Sequence, residues 1–486
     1  MPRHDTPDDV LLLLTDQERY DVATPTGPPV DTAALDRLSA DGVRFTHAYT
    51  PISICSSARA SLLTGRYPHN HGLLNNVHEQ DAIQTDLSTS IPTFGTLLRD
   101  AGYNNSYLGK WHVGRDATPA DFGFDYMGAS DAHDGHLEKG LRSHREELGV
   151  DPDDIELEDA LYNRHGDGEE ALISARTSIP VEATRSYYIA ERTIDRLEGA
   201  AEEDDPFFHR SDFVGPHHPY VVPEPYASKY DPDDIERWPS YQETFAGKPQ
   251  VQENYLEYRG VDHLTWDEWA EAVSMYFGFV DLIDDQIGRI LDAVDEYGLR
   301  DDLLVVHASD HGDFTGNHRQ FNKGPLMYED TYRIPLVMRG PGVEAGRECD
   351  ALVSLMDLMP TFLDSAGVAE PDGVDARSLW PLLDDPENGR REAIFAEYHG
   401  DEMGLYSQRM VRTRRYKYVF NAPDVDELYD LERDPHELQN LVDHPEYESE
   451  RDRLRGLLDE WMTETDDPIQ KWTSRHLESD AADRSP

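Results

Sequence analysis

The chain has 486 residues, enough for two to four ordinary domains or one large domain with an appendage. Charged residues make up 29% and hydrophobic residues 38%, which excludes fibrous, low-complexity and wholly disordered classes. Ninety-eight acidic against 44 basic residues give a net charge of −54, which repels nucleic acid and anionic membrane surfaces; neither is an expected partner.

Taken in chain order, residues 10–15 form a short continuous apolar run, as in a buried parallel strand, that ends in Asp16-Gln17. The stretch 32–40 reads as a helix, with Thr32 to cap it and Gly42 past its end. Cys55 opens an apparent helix over 57–64 that ends at Gly65. A helix over 90–100 precedes a strand over 105–108, which runs into Gly109-Lys110-Trp111-His112. The acidic region 141–167 has no clear period and reads as an insertion or lid. Helical patterns recur at 182–197 and 267–297, the second opening on the capping box Thr265-Trp-Asp-Glu268 and closing at Gly298. Residues 303–308 form another buried-strand run, ending in Ser309-Asp310-His311, and 334–338 reads as one more strand.

This alternation predicts an α/β fold: a large domain with a mostly parallel central sheet flanked by helices, spanning 1–367. A linker rich in Pro, Gly and Asp follows over 368–391. Short strands at 393–397, 410–412, 416–420 and 427–429, then a polar helix near 449–462, predict a smaller C-terminal α+β domain with an antiparallel sheet over 392–486. The last residues, 473–486, read as a frayed tail.

Four clusters carry the chemistry: Asp16-Gln17, Cys55 to Arg59, Lys110-Trp-His112 and Asp310-His311, joined by His217 and Lys323. Three of the four follow predicted strands, and open α/β sheets gather ligands at the carboxyl ends of their strands. Each residue alone reads more simply, as a cap, a buried small hydrophobe or a solvated charge. Together, two strand-end carboxylates with Gln and His beside them supply mainly oxygen ligands to a hard divalent cation. Lys, Arg and His nearby would neutralise a tetrahedral anion and donate hydrogen bonds to it. Cys55, at a helix start, would feel the positive end of the helix dipole.

The stretch ICSSARASLLTGRYPHNHG resembles the signature of the sulfatase family, within the alkaline phosphatase superfamily. The segments LLLLTDQERYD, LGKWHVG, GPHHPYVVPEPY, ASDHGDFTGNHRQFNKGPLMYED and ELYDLERDPHELQNL resemble further family segments in the same order. The resemblance implies hydrolysis of a small-molecule sulfate ester by Cα-formylglycine, made from Cys55 by a formylglycine-generating or sulfatase-maturing enzyme. It implies one divalent metal, Ca²⁺ with Mn²⁺ or Mg²⁺ as alternatives, held by Asp16, Gln17, Asp310, His311 and the modified Cys55. Arg59 would steady the formylglycine, and Lys110 and Lys323 would bind sulfate oxygens. His112 would take a proton from the hydrated aldehyde. His217 would bind sulfate and protonate the leaving oxygen, and Asn76 would contact sulfate. Ser57 departs from the Pro or Ala that the family has two residues after the Cys. The pairs Asp16-Gln17 and Asp310-His311 resemble the branch that includes phosphonate monoester hydrolases and some choline- and arylsulfatase-like enzymes. A phosphonate monoester or phosphodiester hydrolase with the same site is therefore an alternative, as is a non-catalytic metal-dependent anion binder with unmodified Cys55. Loops over 131–175 and 226–262 would set the organic part of the substrate.

The only cysteines are Cys55 and Cys349, too few for a disulfide framework, which fits a reducing compartment. The N-terminal stretch has no signal-peptide shape, its apolar run being four leucines. No stretch approaches the ~18–20 apolar residues of a membrane span. A cytoplasmic location is the expectation. Only seven of the 44 basic residues are Lys, and the acid is spread along the whole chain, a texture that fits concentrated salt. Raising KCl from about 0.1 M to about 1 M shortens the Debye length from about 10 Å to about 3 Å. With saturating divalent metal throughout, melting temperature and activity should both rise across that range; a flat melting temperature removes the halophilic reading.

Overall fold

The computed structural model describes residues 9–127, 135–164, 170–401 and 403–473. The strand Asp9–Asp16 runs through the interior of a nine-stranded sheet. It pairs in parallel with Leu303–Ser309 on one side and Phe207–Pro216 on the other. Asn104–Gly109 and Asp125–Tyr126 extend the sheet in parallel beyond Phe207–Pro216. On the opposite flank Leu336–Arg339 lies antiparallel between Leu303–Ser309 and Val43–Tyr49. Arg347–Ser354 joins Val43–Tyr49 in parallel. The strand expected over 334–338 is two, Arg333–Ile334 and Leu336–Arg339. Pro335, between them, has no N–H to donate to a ladder.

Alternation along the first strand explains its uninterrupted leucines. Leu11 and Leu13 pack into one hydrophobic cluster with Leu35, Ile189 and Ile287. Leu12 and Leu14 pack into another with Ala58, Leu62 and Phe362. Both faces are covered, so both phases of the period-two pattern are apolar. Ala33–Ala40, Arg185–Ala200 and Trp266–Glu296 cover the first face. Cys55–Thr64, Phe94–Asp100 and Leu358–Ser365 cover the second.

The helix termini refine the sequence expectations. Thr265 and Glu268 form the reciprocal capping box expected for the long helix. Thr32 makes no side-chain cap; Asp284, on that long helix, accepts from Ala34 N–H at 2.7 Å and Leu35 N–H at 3.0 Å instead. The helix expected from 182 starts at Arg185, because Thr184 caps it by accepting from Tyr187 N–H. The region read as an insertion or lid, 141–167, is described to residue 164. It contains the end of the helix Gly135–Glu147 and the strand Leu157–Tyr162. That strand pairs with Leu172–Thr177, which pairs with Tyr220–Pro223. It is mostly exposed, so it carries no apolar alternation to read.

The C-terminal part is an antiparallel four-stranded sheet, Ala393–Tyr398, Gln408–Thr413, Tyr416–Phe420 and Glu427–Asp430. Helix Glu448–Glu464 packs on it, with Trp461 stacked on Phe395 at 5.0 Å. Within 368–391 the short helix Trp380–Asp384 buries Trp380, Leu382 and Leu383 in the main core. Residues 474–486, most of the expected tail, lie outside the described residues. Among the described residues no helix is long and apolar enough to cross a membrane.

Candidate active site

The parallel strands point the same way, so their carboxyl ends share one edge of the sheet. Asp16 ends its strand. Lys110, His217 and Asp310 each stand one residue past the end of theirs. Helix Cys55–Thr64 starts at the same edge with Cys55 as its first residue, and Gly65, at φ 65°, stops it. One ligand atom each from Asp16, Cys55, Asp310 and His311 lies within 4.8 Å of the others, and all four residues are buried. Cys55 Sγ is 3.2 Å from His311 Nε2 and 3.7 Å from Asp16 Oδ1.

Gln17 adopts φ 69°, left-handed backbone rarely taken by a side-chain-bearing residue. That turn lets its N–H donate to Asp310 Oδ1 at 3.2 Å, while its side-chain amide donates to Asp313 Oδ2 at 2.6 Å. Gln17 Oε1 then faces Lys323, whose ammonium donates to it at 3.3 Å and lies 3.4 Å from His217 Nε2. Lys110 pairs directly with Asp16 Oδ2. The approach to Lys110 passes Gly109 at φ 108°, where a Cβ would meet the Asp212 carbonyl oxygen at 2.0 Å. A glycine is obligatory there.

Arg59, on the second turn of the Cys55 helix, is fully buried. It donates to Asp310 Oδ2 at 2.8 Å, Asp212 Oδ2 at 2.6 Å, the Lys110 carbonyl at 2.8 Å and Asp16 Oδ2 at 3.4 Å. Burial alone would push the Asp16 carboxyl up; Lys110, His217, Arg59 and His311 outweigh it and hold Asp16 well below the usual carboxylate range. Burial, reinforced by Asp16, pushes the Cys55 thiol up to about 11. A thiol in that state is protonated at neutral pH and a weak nucleophile.

His112 has φ 56°, and its Nε2 is 2.7 Å from His78 Nδ1, with the two rings stacked at 4.9 Å. Burial first, then Lys110 and His78, hold it neutral, well below its usual pKa. Burial, Lys323 and His218 do the same for His217. Asn76 uses its amide on the protein. Its Oδ1 accepts from Ser56 N–H at 3.3 Å, and its Nδ2 donates to Asp401 Oδ2 at 3.2 Å.

Several residues of the site escaped the sequence reading. Asp212 accepts from Arg59, from Tyr107 OH at 2.7 Å and from Arg210. Asp313 accepts from Gln17 and from Tyr220 OH at 2.6 Å. Asp313 had a signal, lying two residues past His311; Asp212 had none, because it sits in FFHRSDFV, where four consecutive residues are polar or charged. His78 and Asp401 had none, because only the fold brings them to the site.

Residues 8–368 match the sulfatase family model, and residues 316–464 match the model for the C-terminal region of N-sulphoglucosamine sulphohydrolase. The uncharacterized sulfatase YidJ of Escherichia coli (strain K12) is 31% identical, over 98% of this chain and 91% of its own length. An arylsulfatase of Clostridium perfringens is 30% identical, over 92% of this chain and 93% of its own length. Among solved structures, the phosphonate monoester hydrolase of Agrobacterium radiobacter superposes with a TM-score of 0.76 at 27% identity, over 91% of this chain and 93% of that one. Matched in this way over nearly its whole length, the chain belongs to the sulfatase family of sulfuric ester hydrolases, within the alkaline phosphatase superfamily.

Proposed function

We propose that the protein hydrolyses a sulfate ester through Cα-formylglycine formed from Cys55, with a divalent metal beside it. The observation that carries this reading is the placement of Cys55. It opens a buried helix against Asp16 and His311, one turn before Arg59. Two carboxylates, an imidazole and the Gln17 amide oxygen form an oxygen-rich donor set that fits a hard divalent ion. Ca²⁺ suits those oxygens, and the His311 nitrogen admits Mn²⁺. The metal would supply positive charge at the transferring group. Formylglycine, once hydrated, would supply two hydroxyls on one carbon, one to attack sulfur and one to expel sulfate.

The chain's own residues support those steps. Lys110 and Lys323 hold the sulfate oxygens and offset their charge. Arg59 fixes the helix that carries residue 55 against the strand-end carboxylates. His112, held neutral, accepts the proton whose loss releases sulfate. His217 stands beside Lys323 on the side where the ester oxygen departs, and it delivers a proton there. Its neighbours hold it neutral on their own; the negative charge of a bound ester acts in the opposite direction.

A second reading has its own support: the Asp16-Gln17 and Asp310-His311 pairs, and the likeness to a phosphonate monoester hydrolase. A sulfate ester carries one negative charge on the transferring group and a phosphate monoester two. The ratio of kcat/KM for an aryl sulfate to that for an aryl phosphonate decides between the readings, and we expect it to exceed one.

Three experiments test the mechanism. In active enzyme from its native host, the peptide spanning Cys55 should carry the mass of formylglycine; free thiol alone overturns the mechanism. Asp310→Ala should lose most of its bound divalent metal by elemental analysis together with its activity, and full metal content removes Asp310 from the ligand set. His217→Ala should lower kcat/KM on an alkyl sulfate by roughly 10²-fold or more, and far less on nitrophenyl sulfate, whose phenolate leaves without a proton. Equal losses leave His217 only a binding role.

A further inference from the structure

The C-terminal part of the chain reaches the active site beside Asn75 and Asn76. Asn75 Nδ2 donates to the Gly400 carbonyl at 2.5 Å, and Asn76 Nδ2 donates to Asp401 Oδ2 at 3.2 Å. The other end of the Asn76 amide accepts from Ser56 N–H, on the first turn of the Cys55 helix. One amide therefore separates the Asp401 carboxylate from the helix that presents Cys55.

Gly400, just before Asp401, is fixed by its surroundings. Gly400 has φ 106°, and a Cβ on it would lie 2.3 Å from the Gly404 carbonyl oxygen. Gly404 N–H donates back to the Asp401 carbonyl at 2.7 Å. Beyond the turn, Met403, Leu405 and Tyr406 line a cavity of about 260 Å³ together with Tyr398 and Pro325. Pro325 stands two residues past Lys323, whose carbonyl accepts from Tyr255 OH. Leu405 is 83% exposed at this cavity.

A carboxylate in this position repels the sulfate group that Lys110 and Lys323 attract, so its chemistry suits the other part of the ester. We propose that Asp401 is a specificity-determining residue. It accepts a hydrogen bond from a hydroxyl or ammonium group on the organic part of the substrate, and so selects esters that carry such a donor near the sulfate. This rests on the reading of the Cys55 site as the ester-hydrolysing centre. The C-terminal domain then supplies selectivity to a reaction centre built wholly from the larger domain.

Binding to metal-loaded, full-length Cys55→Ala protein tests this without requiring formylglycine. The probes are glucose 6-sulfate, 2-aminoethyl sulfate, nitrophenyl sulfate and inorganic sulfate, read by calorimetry. Adding Asp401→Ala should weaken the two donor-bearing esters roughly tenfold or more, while the other two change less than about twofold. Asp401→Asn keeps a neutral acceptor and should restore part of the glucose 6-sulfate affinity but little of that for the aminoethyl ester. Equal weakening of all four probes, or no preference for donor-bearing esters over inorganic sulfate before the substitution, overturns the proposal. If the binding pattern holds but the formylglycine enzyme hydrolyses no sulfate ester, the proposed reaction fails and the role of Asp401 stands.

Discussion

Three carboxylates at the edge of the sheet, Asp16, Asp212 and Asp310, are each fully buried, and one guanidinium contacts all of them. Without Arg59 their mutual repulsion in a low dielectric would be offset only in part, by Lys110 at Asp16 and Arg210 at Asp212. Breaking a buried pair of this kind typically costs about 3–5 kcal/mol. Arg59 also donates to the Lys110 carbonyl, so the same group fixes the residue that approaches Asp16 from the next strand but one. Because Arg59 lies one turn after Cys55, Cys55 and the carboxylate frame cannot shift independently. Every other feature of the site is arranged around this tie.

The frame explains where strain is tolerated. Gln17 and His112 hold positive φ, at the ends of the first strand and of the Lys110 turn. Such conformations cost of order 1–3 kcal/mol each and persist where surrounding contacts over-determine them. Gln17 is held by Asp310 and Asp313, and its side-chain oxygen is thereby left facing Lys323. The strained turn and the position of that oxygen have the same cause.

The chain's charge is divided sharply between surface and interior. Four of its seven lysines, Lys110, Lys248, Lys323 and Lys417, are buried. Lys248 donates to Glu243, Tyr328 and the Glu437 carbonyl, and Lys417 to the Met327 carbonyl. A compact ammonium with three rotatable donors satisfies converging oxygens that a planar guanidinium would not reach in one plane. The C-terminal part is tied down by similar means. His69, just past the Cys55 helix, donates its backbone N–H to Glu397 at 2.7 Å and pairs with it through the ring. Burial acts against charging His69, but Glu397 prevails and holds its pKa above the usual value. This contact and the Asn76–Asp401 contact attach the smaller sheet on both sides of the helix that begins at Cys55.

The sequence by itself determined the α/β class and the strands Asp9–Asp16 and Leu303–Ser309, because strands buried on both faces read as unbroken apolar runs, and it determined the order of the reactive clusters; the central strand Phe207–Pro216, with four polar residues in its middle, went unread. Asp16 and Asp310 were legible because each follows such a run, Lys110 because a short strand runs into Gly109-Lys110-Trp111-His112, and Cys55 because its helix carries a readable stop at Gly65. Tertiary structure alone decided what lies between them. Asp284 replaced Thr32 as a helix cap because a distant helix brought a carboxylate to those N–H groups. The strand Leu157–Tyr162 was invisible because an exposed strand has no apolar alternation. His78 came to His112, and Asp401 to Asn76, across 34 and 325 residues of chain. Periodicity records burial and turn chemistry records local backbone, but a contact between distant polar residues leaves no trace in either.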